Sequence, residues 1–595
     1  MFNLQVDGED WLIIRFDGRH ESVSRIMFLV AIRVRRYSAL ALTGSIVIFT
    51  AAGIWIARAA GTPQADPITF ENIASRSGVD FVLRNSASPA RRQIETMVSG
   101  VAIFDYNSDG KPDIYFVNGA RQPQLDKPDP SYYNRLYRND GGGRFTDVTL
   151  AASVRGDGFA TGVAAGDFDN DGWEDLFIAG VNRNILYRNR GNGTFEDVTE
   201  RAGLGQPAGI RKPWSVSAGW FDYDNDGRLD LFVVNYCVWD PEKEHACTIG
   251  KARTYCHPKY YDGLPNSLYH NNGDGTFTDV SVRSGIAGHI GKGMALSFLD
   301  FDADGRLDVF VTNDTTPNFL FRNLGDGKFQ EVALESGVAF NNDGRAVSSM
   351  GADTRDIDND GGEDLFVTAN EGETFPLFRN LGRGLFADVT NASGVGHQTR
   401  SSTGWSTGIF DFNNDGAKDL FAACGSIDDN VEEFSSRSSR QRNLLLANTA
   451  AGKFEDVSAR AGADFQKAAW NRDAAFGDLD GDGRVDVVVS RIGERAAIFR
   501  NTSAGRNHYL AVHLRGRRSN RDGIGAMVHV TGSSGRQQWN RVTTAVGYGS
   551  SSDSTAYFGM AQDAVAASIE IVWPSGTHQQ QANVRCDRYL TFEEP

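Results

Sequence analysis

Asp167-Phe168-Asp169-Asn170-Asp171-Gly172-Trp173-Glu174-Asp175 is the stretch on which the reading of this chain turns. Oxygens at positions 1, 3, 5 and 9, with a backbone carbonyl expected at 7, can surround one hard cation. The glycine at position 6 permits the sharp turn that folds the loop around the ion. So many carboxylates at short range repel one another unless a cation neutralises them. The same pattern occurs seven times. The expected ligands are Asp105, Asn107, Asp109 and Asp113 in loop 1, Asp167, Asp169, Asp171 and Asp175 in loop 2, and Asp222, Asp224, Asp226 and Asp230 in loop 3. They continue with Asp300, Asp302, Asp304 and Asp308 in loop 4 and Asp356, Asp358, Asp360 and Asp364 in loop 5. Loop 6 offers Asp411, Asn413, Asp415 and Asp419, and loop 7 offers Asp478, Asp480, Asp482 and Asp486. Up to seven Ca2+ ions are expected, because Mg2+ is seldom held by protein ligands alone. Asn107 and Asn413 each remove one negative charge, so loops 1 and 6 should bind more weakly.

These are not EF-hands. An EF-hand needs flanking helices and a bidentate glutamate at position 12, where this chain has Phe116, Ile178, Val233, Val311, Val367, Ala422 and Val489. Each loop instead runs into a short apolar stretch such as Leu176-Phe177-Ile178-Ala179, which reads as a buried strand. Behind it comes a second signature, clearest at Asn184-Ile185-Leu186-Tyr187-Arg188-Asn189, Gly191-Asn192-Gly193 and Phe195-Glu196-Asp197-Val198-Thr199. Its glycine-rich centre between apolar-patterned runs is a hairpin turn. One repeat therefore supplies four strands, and loop starts are spaced by 62, 55, 78, 56, 55 and 67 residues. That pattern predicts an all-β chain built around a seven-bladed β-propeller. The seventh repeat stops at Ile498-Phe499-Arg500-Asn501, while a spare copy of the missing strand lies at Phe70-Glu71-Asn72-Ile73-Ala74. The N-terminal strand is expected to complete the last blade and leave no open sheet edge at the seam.

The repeats resemble the Phe-Gly/Gly-Ala-Pro (FG-GAP, VCBS) calcium repeats of integrin α-chain propellers and their bacterial relatives. The tail resembles the ASPIC/UnbV domain through Asn520-Arg521-Asp522-Gly523-Ile524-Gly525-Ala526, Tyr557-Phe558-Gly559 and Val572-Trp573-Pro574-Ser575-Gly576. The combination is similar to the cartilage acidic protein family and its bacterial members, over roughly residues 67–595. The resemblance implies an extracytoplasmic calcium-binding propeller whose ligands are the loop residues named above. It divides the chain into a propeller at 67–504 and a small β domain at 505–595. Alternation at Leu510, Val512 and Leu514, and at Ile569, Ile571 and Trp573, agrees with strands in that second domain.

Residues 37–57 are uncharged and largely apolar. As a helix they would span about 31 Å, the thickness of a bilayer core. Arg33, Arg35 and Arg36 precede them, so residues 1–36 should remain cytoplasmic. A signal anchor and a signal peptide cleaved near Ala57-Arg58-Ala59 are both compatible, and Met27 is an alternative start. Either way the propeller lies outside the cytoplasm, membrane-attached through one N-terminal helix or secreted. Among five cysteines, Cys247 and Cys256 are expected to form a disulfide that staples an insertion. The formal charge of −16 is mostly loop chemistry, which seven divalent ions would nearly cancel, and no basic block suggests nucleic-acid binding.

The first-strand starts lie opposite the acidic loops and carry Arg91, Arg92, Arg211, Lys212, Lys292, Arg345, Arg400, Lys467 and Arg472. The insertions at about 236–265 and 425–442 emerge on the same face. This face is expected to bind an acidic glycan or an extracellular protein, making the chain an adhesion or macromolecule-binding module. No catalytic constellation is found. Gly404-Trp405-Ser406-Thr407-Gly408 matches a nucleophile elbow but sits on a first strand and lacks the strand–turn–helix setting. The alternative reading is a carbohydrate-active lyase or hydrolase on the same scaffold.

Overall fold

In the computed structural model of the chain, the described residues are 67–205, 213–449 and 452–595, with three strands near the N-terminus. Those strands, Phe2–Val6, Trp11–Phe16 and Leu29–Arg33, pair as an antiparallel meander within a compact unit, Met1–Ala65. The expected helix at 37–57 lies outside the described residues, and no helix among the described residues is long and apolar enough to cross a membrane.

Asp66–Pro595 forms a second compact unit, all-β and propeller-like. Each acidic loop joins two antiparallel strands, as Phe159–Gly166 and Asp175–Val181 flank loop 2. Both strands are buried throughout, which is why their sequences are apolar runs and not alternations. Two further strands follow, here Ile185–Asn189 and Phe195–Asp197, and the last, at the outer edge, is buried only at Phe195. Seven such four-stranded sheets occur among the described residues, the second and third linked by one bridge between Val181 and Trp214. The first strands Val101–Phe104, Phe159–Gly166, Pro213–Phe221, Gly293–Leu299, Ala352–Arg355, Gly404–Phe410 and Asn471–Gly477 touch in sequence, and the last touches the first. Phe70–Asn72 is the outer strand of the seventh sheet, with Phe70 opposite Asn501 and Asn72 opposite Phe499.

The C-terminal region has its own core of Leu510, Val512, Leu514, Val528, Val530, Ile569, Ile571 and Trp573 between a three-stranded and a four-stranded sheet. It is not a free-standing appendage. Residues 543–553 leave it and enter the centre of the ring. Ser551 exchanges backbone hydrogen bonds with Val101 and Ile103, Gly547 with Ala352, and the Gly549 carbonyl accepts from Val163. Tyr548, 1% exposed, packs edge-on against Trp405 within the central apolar cluster that also holds Trp214, Met294 and Met350. The ring is therefore filled at its axis, not open as a channel.

Candidate metal centres

Every acidic loop has the same internal wiring. The position-1 aspartate accepts the backbone N–H groups of positions 5 and 6, as Asp167 does from Asp171 and Gly172 at 3.0 and 2.7 Å. The position-5 aspartate accepts the N–H of position 7, and the position-9 aspartate accepts that of position 2. Position 4 turns through positive φ, as at Asn170 and Asn225, both at 57°. Asparagine suits this left-handed conformation better than most residues. The backbone thus folds each loop around its own carboxylates.

The carboxylates converge. Ligand oxygens of Asp167, Asp169 and Asp175 lie within 4.8 Å of one another, as do those of the first three positions in loops 3, 4 and 5. Burial drives Asp113, Asp167, Asp308 and Asp364 up to about 8, and neighbouring carboxylates add to the rise. Burial likewise lifts Asp222 and Asp411 to about 7, and Asp356 and Asp478 to about 6. A cation among these oxygens would offset both burial and mutual repulsion and favour the charged form.

Position 3 shows where the cation fits. In loops 4 and 7 an arginine holds one carboxylate oxygen, Arg322 to Asp302 at 2.5 Å and Arg500 to Asp480 at 2.8 Å. Arg188 does the same for Asp169 in loop 2. The other oxygen of each aspartate, Oδ1, is buried with no hydrogen-bond partner. A buried carboxylate oxygen without a donor is costly, and a metal ion supplies what hydrogen bonds do not. The donor set fits a hard divalent ion held by positions 1, 3, 5 and 9.

One functional residue escaped the sequence reading although it was in plain view. The asparagine that follows the third-strand core in each repeat, as in Tyr187-Arg188-Asn189, ties neighbouring loops together. Asn189 Nδ2 donates to Tyr106 O of loop 1 and to Glu174 O of its own loop, at 2.8 and 3.1 Å, while its N–H reaches Asp175 at 2.6 Å. The equivalents are Asn271, Asn323, Asn380, Asn448 and Asn501. Asn139 completes the cycle by donating to Leu479 O of loop 7 at 2.8 Å. The signal was the motif's recurrence at a fixed place behind each acidic loop.

The C-terminal region covers this loop face. Asp522 accepts the N–H of Asp167 at 2.7 Å, and Arg541 grips Glu363 with two nitrogens at 2.8 and 2.7 Å. Tyr589 donates to Asp478, and Arg536 to the Asp415 carbonyl. Between loops 1, 2 and 7 and this region lies a cavity of about 970 Å3, walled in part by Asp105, Glu174, Asp478, Asp522, Asp553 and Tyr589.

The basic residues expected to rim the opposite face differ widely in burial and pairing. Arg472 is fully buried, gives hydrogen bonds to the carbonyls of Thr96, Asn471 and Ser426, and stacks 4.2 Å from the Trp405 ring centre, so it is structural and not a ligand contact. Arg91 is paired with Asp429, and Arg92 and Lys292 are half-buried. Arg345, Arg400 and Lys467 are exposed, while Arg211 and Lys212 lie outside the described residues. The insertions meet here: Tyr255 donates its hydroxyl to the buried Glu95 and its N–H to Asp428. Cys247 and Cys256 form a disulfide in the first insertion. Ser406 is fully buried and donates to the Ala474 carbonyl, which leaves no nucleophile at the elbow-like motif.

Family models for an FG-GAP-like repeat match residues 105–178, 167–233, 260–311, 300–367, 356–422 and 428–489, and a model for ASPIC and UnbV matches 516–595. The chain is 23% identical over 491 residues to Cartilage acidic protein 1 of Homo sapiens, covering 80% of this chain and 69% of that protein. It is 24% identical over 512 residues to the Xenopus tropicalis protein of the same name, covering 83% and 64%. Among solved structures it overlaps an Agrocybe aegerita lectin (16% identity, TM-score 0.38, 68% of this chain and 92% of that one). It also overlaps YCF48 bound to D1 peptide (8% identity, TM-score 0.39, 75% and 100%). Neither overlap bears on function.

Proposed function

This chain belongs to the FG-GAP-like repeat family and ends in an ASPIC and UnbV domain, and from that premise we propose that it is an extracytoplasmic seven-bladed propeller, held by calcium, that binds a macromolecule. Calcium is the ion that best suits the oxygen-only cradles of loops 1, 2 and 4 to 7. The partner class is an acidic glycan or an extracellular protein with an acidic patch. The observation that carries the choice of face is that the C-terminal region occupies the acidic-loop side, which leaves the side of the insertions for a partner. There Arg345 and Arg400 offer exposed positive charge, and Lys467 is exposed but paired with Asp464.

The reading is non-enzymatic. Trp214, Trp405 and Tyr548 fill the axis, which removes the central channel in which the lyase or hydrolase alternative would place its site. The test is an array of acidic glycans and extracellular proteins, probed with the intact chain in calcium. Retention on at least one acidic ligand is expected, with loss after charge reversal at Arg345, Arg400 and Lys467 together. Unchanged retention by that triple variant would move the binding surface elsewhere.

A further inference from the structure

His270 stands where five other repeats carry an arginine. The residue before the terminal asparagine of the third strand is Arg138, Arg188, Arg322, Arg379 or Arg500 in those repeats, Ala447 in the sixth, and His270 in the third. Arg188, Arg322, Arg379 and Arg500 each pair with the position-3 aspartate of their own loop. A guanidinium has only donors and cannot ligate a metal, whereas a neutral imidazole can.

The imidazole is in place to do so. His270 Nδ1 lies 3.2 Å from Asp230 Oδ1 and 3.5 Å from Asp224 Oδ2. One ligand atom from each of the three residues falls within 4.8 Å of the other two. Asp224 also belongs to the convergent set with Asp222 and Asp226, so loop 3 combines four carboxylates with one nitrogen donor. The Tyr223 hydroxyl, 3.3 Å from the same Nδ1, and the edge-on Tyr223 ring restrain the imidazole beside the loop.

We propose that loop 3 is a mixed nitrogen–oxygen centre that takes a first-row transition ion, of the Mn2+ to Zn2+ class, in preference to Ca2+. This rests on the reading of the acidic loops as cation sites. Ca2+ takes oxygen ligands, while imidazole suits zinc, copper, iron and nickel. The other loops lack the nitrogen, so the selectivity belongs to loop 3.

Co2+ serves as the probe, read by its ligand-field absorption and by isothermal titration on the full chain kept in a large excess of Ca2+. One tightly held Co2+ per chain is expected, and H270R should weaken it by roughly tenfold or more. Arginine is native to this position in sibling repeats, so H270R should fold, and circular dichroism in Ca2+ verifies that. His508 and His529 lie close to Asp587 and Glu570, so an H508Q/H529Q variant must keep the signal. The proposal falls if excess Ca2+ displaces all Co2+, if H270R binds Co2+ as wild type does, or if H508Q/H529Q abolishes the signal. Calorimetry with Ca2+ alone separates the two readings. Co2+ bound through His270 with no Ca2+ uptake anywhere would sink the general calcium reading and leave this one standing. Ca2+ uptake without a His270-dependent Co2+ would do the reverse.

Discussion

Single residues in this molecule act across sheet boundaries. Asn189 satisfies two buried carbonyls in two different loops, so N189A strands both. An unsatisfied buried polar group costs about 1–3 kcal/mol, and the variant should lose that much or more in urea unfolding. A loss within a few tenths of a kcal/mol would show that water replaces the amide. Glu594 has a comparable local role. Burial raises its pKa, but the Ser575 hydroxyl and the N–H groups of Arg517, Arg518 and Ser519 outweigh burial and hold it at about 2. A folded-state value below the unfolded one contributes stability at neutral pH that is lost as pH falls from about 4.5 towards 2. The near-ultraviolet signal of the buried Trp573 should therefore change over that range in wild type. E594Q should flatten this step, and an identical acid profile in the variant would remove Glu594 as its cause.

Strands and loops are joined by caps that come from the next loop or from the C-terminal region. Position 8 of loop 2, Glu174, accepts the first N–H of loop 1, and Glu363 of loop 5 does so for loop 4. The next loop has an apolar position 8 at Pro112, Leu229, Leu307 and Val485, and at two of these the C-terminal region takes over, Asp522 for loop 2 beside Leu229 and Tyr557 for loop 7 beside Pro112. Glu363 carries a second load, because Arg541 must balance its buried charge. Removing one partner of a buried pair costs about 3–5 kcal/mol, and R541A should lose that much. The double variant R541M/E363Q should recover most of it. Equal instability of single and double variants would assign the loss to packing instead.

At the scale of the whole molecule, seven sheets share one axis and one loop face, so effects at equivalent sites accumulate. A site with a Kd of about 0.1 mM in about 1 mM calcium gains roughly 1.4 kcal/mol by mass action. Six such independent sites, in loops 1, 2 and 4 to 7, would then give about 8 kcal/mol, comparable to the stability of a domain. Chelation should lower the melting temperature by about 10 °C or more. A melting curve indifferent to chelator would mean that the caps and asparagine ties alone carry the fold. The axial segment 543–553 adds a further tie, since it bonds to first strands from sheets 1, 2, 5 and 7. Gly547, at φ 99° with its would-be Cβ 2.2 Å from Ser406 Oγ, lets that segment pass.

Local pattern determined much of this protein. A nine-residue acidic loop must close around its own carboxylates, and flanking apolar runs must pair and be buried. The recurrence of both, with Phe70-Glu71-Asn72 as the spare strand, was legible because these are short-range rules repeated at nearly constant spacing. What only the tertiary structure decided are contacts between segments hundreds of residues apart. The filling of the axis by Tyr548, the burial of Arg472 and the cover that Asp522 and Arg541 place on the loops depend on which surfaces meet after the ring has closed. No periodicity encodes such meetings. Arginine and tyrosine look alike in a sequence whether they end in solvent or at the centre of the wheel, and only packing tells them apart.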